Sequence, residues 1–337
     1  MRIGIFAPEY DPQAQALRAK LEALQPGCVS GFEIPPHRDA KLAMDAKRLS
    51  WNGQDLTSLK AFFLRGFPYC DPIIPSGELD VDWTVWRWEY LAAQQTYSSL
   101  HSIFLELERR GVRAINGMDA QQHSFTKPAL LETLRQKGLQ TPDTLVTNRA
   151  DAASTFMKKH NKVAWRPCTG RALYQAFLEP QRDALVSLRK PPPLLAQIVE
   201  GPLYRCYLFD GAPVLTVQSS APSNEPPERT EEFWEVPCPS EVLPDLQRLA
   251  EVFKAPWVQI FFVAQGKRAW IYDVDTDPRY DALPTALHDR LAARLACRLL
   301  GLPIETAQTV EAPLQRPTMF LRRMLRTLFE MEETKYS

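Results

Sequence analysis

Net charge is absent from this 337-residue chain, whose 40 Lys and Arg are matched by 40 Asp and Glu. No global field therefore draws it to nucleic acid or to an anionic membrane. Paired cysteines are absent too: Cys28, Cys70, Cys168, Cys206, Cys238 and Cys297 stand singly with no C-x-x-C, a usage that fits reduced thiols in a cytosolic protein. No run reaches the roughly 18 apolar residues of a membrane span. The opening MRIGIFAPEYD reads as a strand and turn, without a charged leader and apolar core. His37, His101, His123, His160 and His288 are isolated, none at metal-ligand spacing from another, and are read as surface or core residues. A cytoplasmic protein with no transmembrane segment and no nucleic-acid partner is expected. Proline is plentiful, but in loops such as Pro35-Pro36, Pro191-Pro192-Pro193 and Pro226-Pro227. That is the pattern of an α/β protein with long connections, long enough for two or three sub-domains.

The stretch that carries most chemistry is AWIYDVDTDP, Ala269 to Pro278. Residues two apart on a strand share a face, so Asp273, Asp275 and Asp277 can aim oxygens at one point, as a hard divalent cation requires. The other reading is an acidic strand end turning into a solvated loop. A calcium loop needs Gly at its sixth position and an acid at its twelfth. Those places hold Pro278 and Pro284, so the EF-hand reading fails and a Mg²⁺ reading survives.

Along the chain, an apolar strand (Arg2 to Phe6) precedes a helix over Gln13 to Leu24, and the apolar run Leu59 to Leu64 ends in Arg65-Gly66-Phe67. Polar groups beyond such strand ends commonly face a ligand crevice, so Arg65 is either a substrate-binding candidate or an ordinary surface arginine. A long helix is expected from about Trp83 to Arg110, stopped by Gly111, with Trp83, Trp86 and Trp88 packed in a core or an interface. The strand Val112 to Ile115 follows, and alternation of this kind argues a mostly parallel sheet over 1–117. Further helices are expected over Thr126 to Lys137 and Ala150 to Lys159, with strands at Leu145 to Thr147, Val163 to Pro167 and Leu194 to Val199. Cys168-Thr169-Gly170-Arg171 is a small-residue turn. Tyr204 to Phe209 and Val214 to Val217 form a hairpin across Asp210-Gly211. A polar, proline-rich loop covers Ser219 to Pro239. Ser240 caps a helix to Phe253, strands at Trp257 to Val263 and Arg268 to Tyr272 join at Gln265-Gly266, and a last helix spans Pro284 to Leu300. In the tail, Leu314 to Met331, the apolar Met319, Phe320, Leu321, Met324, Leu325, Leu328 and Phe329 interleave with Arg322, Arg323 and Arg326. Such a helix packs on its own protein, a homodimer mate or a partner, or lies on a membrane surface.

The order of these signals resembles the ATP-grasp superfamily, in its branch of RimK-like carboxylate–amine ligases, over roughly Val112 to Leu300. The matching elements are Ile115-Asn116-Gly117, Lys127, Leu130-Leu131, Pro142-Asp143-Thr144, Trp165-Arg166-Pro167 with Thr169-Gly170, then Gln197, Gly201 and Arg205, and finally Asp273-Val274-Asp275-Thr276-Asp277-Pro278. The resemblance implies an α/β chain with an N-terminal Rossmann-like pre-ATP-grasp domain (1–117) and a two-lobed ATP-grasp fold. Its small lobe is 118–196 and its large lobe 197–310, followed by a basic amphipathic tail over 311–337. It further implies MgATP, with Mn²⁺ as an alternative ion, and a peptide or amino-acid substrate joined to an amine through an acyl phosphate. By the same resemblance Lys127 and Arg166 meet the α- and β-phosphates, and Thr169 and Gly170 cover the phosphates with backbone N–H groups. Gln197, Val199 and Glu200 follow the adenine and ribose edge. Arg205 sits near the transferred phosphoryl, with Arg229 as a second catalytic candidate. Asp273, Asp275 and Gln259 are the metal ligands.

Each residue also has a plainer reading. Lys127 at a helix start can be a solvated charge, Arg205 among alternating aromatics can point to water, and Gln197 can decorate a strand. Several positions depart from the family pattern. Arg166 stands where the family has Lys, which changes reach and donor geometry. Gln259 replaces an Asp on the penultimate strand. Asp273 replaces Glu, and Asp275 replaces Asn, which restores the count of two anionic ligands. Two outcomes follow from these changes: a rebuilt site with ligase chemistry retained, or a catalytically degenerate fold serving as a nucleotide sensor or peptide-binding partner.

Overall fold

The computed structural model describes residues 1–34, 40–66, 83–124, 126–168, 174–177, 179, 182–183, 192–219, 233–280 and 283–305. Thr169, Gly170, Arg229 and the tail over 311–337 lie outside the described residues. The chain divides into two compact units, Met1–Phe67 with His288–Ser337, and Pro68–Leu287.

In the first unit the apolar IGIFA forms β1 (Ile3–Ala7), buried along its whole length. Asp11 then starts α1 (Pro12–Leu24), its carboxylate accepting from the Ala14 N–H at 2.7 Å, with Pro12 in the first turn where no N–H is needed. β1 pairs in parallel with β2 (Val29–Glu33). The antiparallel run β3 (Leu42–Met44), β4 (Leu49–Trp51) and β5 (Gln54–Asp55) follows. β6 (Ala61–Leu64) returns in parallel to the other side of β1. β1 and β6 are buried along their whole length, as inner parallel strands are, whereas β2 exposes Gly31 and Glu33.

The second unit opens with α2 (Trp83–Arg109), which ends at Gly111 in the left-handed region (φ 82°). Trp86 stacks on Tyr90 one turn along, whereas Trp88, two residues away and so on the opposite side of the helix, is 68% exposed. Trp88 therefore does not pack in the core of the chain, one of the two places expected for it. β7 (Arg113–Ile115), α3 (Met118–Gln122) and α4 (Lys127–Gln136) come next. β8 (Thr144–Val146), β9 (Val163–Arg166), β10 (Gln175–Ala176) and β11 (Leu194–Gln197) build a small antiparallel sheet in the order β10-β9-β11-β8, with α5 (Ala150–Lys159) between β8 and β9 in sequence. A larger antiparallel sheet holds β12 (Leu203–Phe209), β13 (Ala212–Ser219), β14 (Phe233–Glu235), β15 (Trp257–Gln265) and β16 (Arg268–Asp275), in the order β14-β13-β12-β15-β16, with α6 (Leu243–Phe253) between β14 and β15 in sequence. α7 (Thr285–Leu300), which belongs from His288 onward to the first unit, is the last α-helix among the described residues. Among the described residues no helix is long and apolar enough to cross a membrane.

Two local expectations change. β14 lies inside the stretch read as a polar loop, because its backbone groups find partners on the edge of β13, a long-range pairing that composition does not announce. α6 begins at Val242 without a side-chain cap. Ser240 contributes only its carbonyl, to Leu243 N–H, and Pro244 occupies the first turn.

One face of the larger sheet is apolar. Cys206, Leu208, Val258, Ile260, Phe262, Ile271 and Val274 pack against Leu130, Leu131 and Leu134 of α4 and Leu246, Leu249 and Phe253 of α6. Each large side chain buried there stabilises the fold by about 1.5–3 kcal/mol. Strand alternation then dictates the other face, where the registers Arg205↔Phe261↔Asp273 and Tyr207↔Gln259↔Asp275 form two rows across three strands. Gly201 carries the chain from the small sheet to the larger one at φ 146°, and a Cβ there would stand 2.6 Å from Val263 Cγ1. Gly201→Ala is expected to destabilise the protein by about 1–3 kcal/mol, read as a lowered urea midpoint with an unchanged slope.

Candidate functional site

The polar face is organised by a β-bulge. The β15–β16 ladder passes from Asp273↔Phe261 to Ile271↔Phe262 and leaves Tyr272 without a cross-strand partner. The extra residue lets Ile271 and Val274 both face the core while the adjacent Tyr272 and Asp273 both leave it.

Asp273 receives two cations. Lys127, the first residue of α4, places Nζ 2.7 Å from Oδ1 and also donates to the Val274 carbonyl at 2.9 Å. Arg166, the last residue of β9, places Nη1 2.5 Å from Oδ2. All three side chains are within 9% of complete burial. Burial alone would push the Asp273 carboxyl up, but the charges of Lys127 and Arg166 and their hydrogen bonds hold it below the ordinary carboxylate range. For Arg166, burial works against the charged form and is overcome by Asp273, Tyr174 and Asp275, so its pKa is raised. The Arg166 guanidinium also lies over the Tyr174 ring, 5.4 Å from its centre.

The wider constellation is unusually concentrated. Among the described residues of the second unit, the buried charged side chains are Lys127, Arg166, Arg205, Asp273, Asp275 and Asp277. Three cations thus balance three carboxylates in one region, where an uncompensated charge would be costly. Arg205 is held between aromatic faces, 4.4 Å from the Phe233 ring centre and 5.1 Å from that of Phe261. It therefore does not point to open water, as one reading of the strand allowed. Asp275 accepts from the Asp277 N–H at 3.0 Å. Gln259, opposite Asp275, donates its amide N–H to the Tyr207 hydroxyl at 3.1 Å, and that hydroxyl donates to the Arg279 carbonyl at 3.2 Å. Behind them, buried Asn116 accepts from Trp257 N–H at 2.9 Å and donates to the carbonyls of Trp257 and Thr276, tying together the ends of β15 and β16.

The small sheet contributes the remaining candidates. The Tyr272 hydroxyl accepts from the Val199 N–H at 2.6 Å and donates to the Gln197 carbonyl at 3.1 Å. Glu200 is exposed and pairs with Lys162 at 3.1 Å, away from the buried charges. Lys127, Arg166, Arg205, Gln259, Asp273 and Asp275 are thus gathered on or beside one sheet face, and Gln197 and Val199 join them through Tyr272. Arg65 belongs to the first unit, where it is buried and pairs with Asp11 at 3.3 Å, bracing the start of α1. Tyr272 and Tyr174 were not among the candidates. An alternating strand pattern assigns Tyr272 to the face opposite Asp273, and only the bulge brings it round.

The donor types suit an anionic ligand and a hard cation unequally. Three buried cations are the groups that polyphosphate requires. The carboxylate and amide oxygens of Asp275 and Gln259 suit Mg²⁺, while both oxygens of Asp273 are already engaged by cations. Among the described residues no cluster of three or more His, Cys, Asp or Glu side chains is arranged for a metal.

A parallel N-terminal sheet followed by antiparallel sheets in a mixed α/β chain is the ATP-grasp fold. Solved structures agree over nearly the whole chain. The ATP-grasp ligase PsnB, complexed with a minimal precursor, Mg and ADP, matches with a TM-score of 0.74 at 17% identity, over 89% of this chain and 97% of that one. The macrocyclase MdnC bound with precursor peptide MdnA, from Microcystis aeruginosa MRC, matches with a TM-score of 0.68 at 16% identity, over 89% and 100%. A RimK domain ATP-grasp protein from Sphaerobacter thermophilus DSM 20745 matches with a TM-score of 0.55 at 15% identity, over 88% and 98%. At these identities the likeness is one of fold. No protein-family model and no curated protein sequence matches the chain.

Asp273→Asn is expected to destabilise the protein by about 3–5 kcal/mol by leaving two buried cations uncompensated. The depressed carboxyl stabilises the folded state above its unfolded-state pKa, and that contribution is lost as pH falls through the lower folded value. The stability gap between wild type and Asp273→Asn, from urea unfolding, should therefore be constant near neutrality and shrink only below about pH 4.

Proposed function

We propose that this protein is a MgATP-dependent carboxylate–amine ligase that acts on a peptide. The observation carrying this reading is the convergence of Lys127, Arg166, Arg205, Asp273 and Asp275 on or beside one face of the larger sheet. The peptide substrate is supported by PsnB and MdnC, both of which were solved with precursor peptides. In this reading 118–196 is the small lobe, 197–310 the large lobe, and 1–117 a preceding domain that helps select the acceptor.

ATP, when bound, supplies the phosphoryl group that turns a substrate carboxylate into an acyl phosphate, which an amine then attacks with loss of phosphate and a proton. The chain's own part is charge neutralisation and positioning. Lys127 and Arg166 neutralise phosphate oxygens at the seam of the two sheets. Arg205, rigid between Phe233 and Phe261, steadies charge on the group in transfer, with Arg229 as a second candidate. Gln197, Val199 and Glu200 line the base and ribose edge, and Thr169 and Gly170 cover the phosphates. Asp275 and Gln259, together with Asp273, would hold Mg²⁺ or Mn²⁺, which would neutralise charge on the phosphates.

A second reading, a nucleotide sensor or peptide-binding partner without turnover, is favoured by one observation. Gln259 stands at a candidate metal position and is tied sideways to Tyr207. Titration of ATP with and without Mg²⁺, followed by ADP release with a panel of peptides, separates the two. Mg²⁺-dependent binding with ADP release supports the ligase, binding alone supports the sensor, and no binding at millimolar ATP sinks both. Under the ligase reading, Arg205→Lys keeps the charge but loses the planar stack. It is expected to lower ADP release about 10²-fold while the thermal midpoint moves by a few degrees at most.

A further inference from the structure

Two adjacent residues of β16 hold the two sheets of the second unit together. Asp273 draws Lys127 of α4 and Arg166 of β9 onto its two oxygens. Tyr272 sends its hydroxyl to the end of β11, filling one backbone acceptor and one backbone donor two residues apart. Both groups are buried, Tyr272 at 7% and Asp273 at 6% exposure. The arrangement is continuous. The Tyr174 hydroxyl donates to the Tyr272 carbonyl at 3.3 Å, its ring meets the Tyr272 ring edge to face at 5.5 Å, and its other neighbour is the Arg166 guanidinium.

The chemistry of these contacts is that of a nucleotide's two ends. A phenol that accepts from an N–H and donates to a carbonyl presents the same paired pattern as the edge of an aminopurine. A carboxylate between a lysine and an arginine presents the same charge as a phosphate oxygen pair. We propose that Tyr272 and Asp273 act together as an internal latch that satisfies the nucleotide-binding groups of the chain itself, so that nucleotide enters only by displacing them. This inference rests on the ATP-binding reading above and adds to it a resting state with a competitor built into the sheet.

The bulge explains why the latch requires both residues. In a regular ladder, neighbours on a strand point to opposite faces, and only one of the pair would reach the seam. With the extra residue, Tyr272 reaches the small sheet while Asp273 reaches the cations. Competition has a cost that is readable as affinity. A ligand whose binding-competent state is a minor population binds more weakly in proportion to that fraction.

The test compares ATP, adenosine and inorganic pyrophosphate by titration calorimetry on wild type and Tyr272→Phe, alongside thermal shifts. Loss of the hydroxyl should tighten ATP and adenosine about fivefold to a hundredfold, the effect of its two hydrogen bonds, and leave pyrophosphate unchanged. The variant alone should melt lower than wild type, yet gain more from added ATP. If ATP binds Tyr272→Phe no more tightly than wild type, the latch is wrong while the ATP site stands. If neither protein binds ATP, the latch and the nucleotide reading fall together. Should Tyr272→Phe not fold, Tyr174→Phe, which removes the bond to the Tyr272 carbonyl and also a contact with Arg166, is read in the same way but with adenosine, which does not engage the phosphate-binding cations. There, tighter adenosine binding supports the latch, and unchanged or weaker adenosine binding overturns it.

Discussion

Asp273, with Lys127 on one oxygen and Arg166 on the other, is the contact on which the arrangement of the second unit depends. The three residues come from a helix start, a strand end in one sheet and an edge strand in another. None has water to fall back on, and a charge removed from solvent without a partner costs several kcal/mol. The pairing therefore selects the relative placement of α4, β9 and β16 far more sharply than the non-directional packing of leucines beneath them. Balance extends to Arg205, Asp275 and Asp277, so the face is close to neutral although it is dense with charge.

The apolar side of the same sheet makes this possible. Ile260, Phe262, Ile271 and Val274 are locked against α4 and α6, and period-two alternation then commits Arg205, Gln259, Asp273 and Asp275 to the opposite side. Hydrophobic burial thus supplies the free energy, and the polar face inherits its geometry from it. Gln259 shows the consequence for chemistry. Its position in the row is dictated by register, while its amide has found the Tyr207 hydroxyl, an arrangement suited to holding the sheet as well as to touching an ion.

Much of this was legible from residue order. The strands at Val163, Leu194, Tyr204 and Trp257, and the helices at Thr126 and Ala150, follow from apolar periodicity and lie within a few residues of where they were expected. The grouping of Lys127, Arg166 and Arg205 with Asp273 and Asp275 followed from a family-like order of motifs. What escaped were features made by distant partners. β14 exists because β13 offers it an edge, α6 starts without the serine cap its sequence advertises, and Arg65 turns inward to Asp11.

By itself the amino-acid order determined the alternation of elements, the acidic strand end and the identities of the charges, because these depend on local periodicity and on side-chain chemistry. Only the tertiary structure decided how those charges are used. Whether Asp273 faces a metal or two cations depends on residues 107 and 146 positions away. Whether Tyr272 points to the core or to β11 depends on one unpaired residue in a ladder. Local propensity has no information about either, since both are settled by which strands and helices meet.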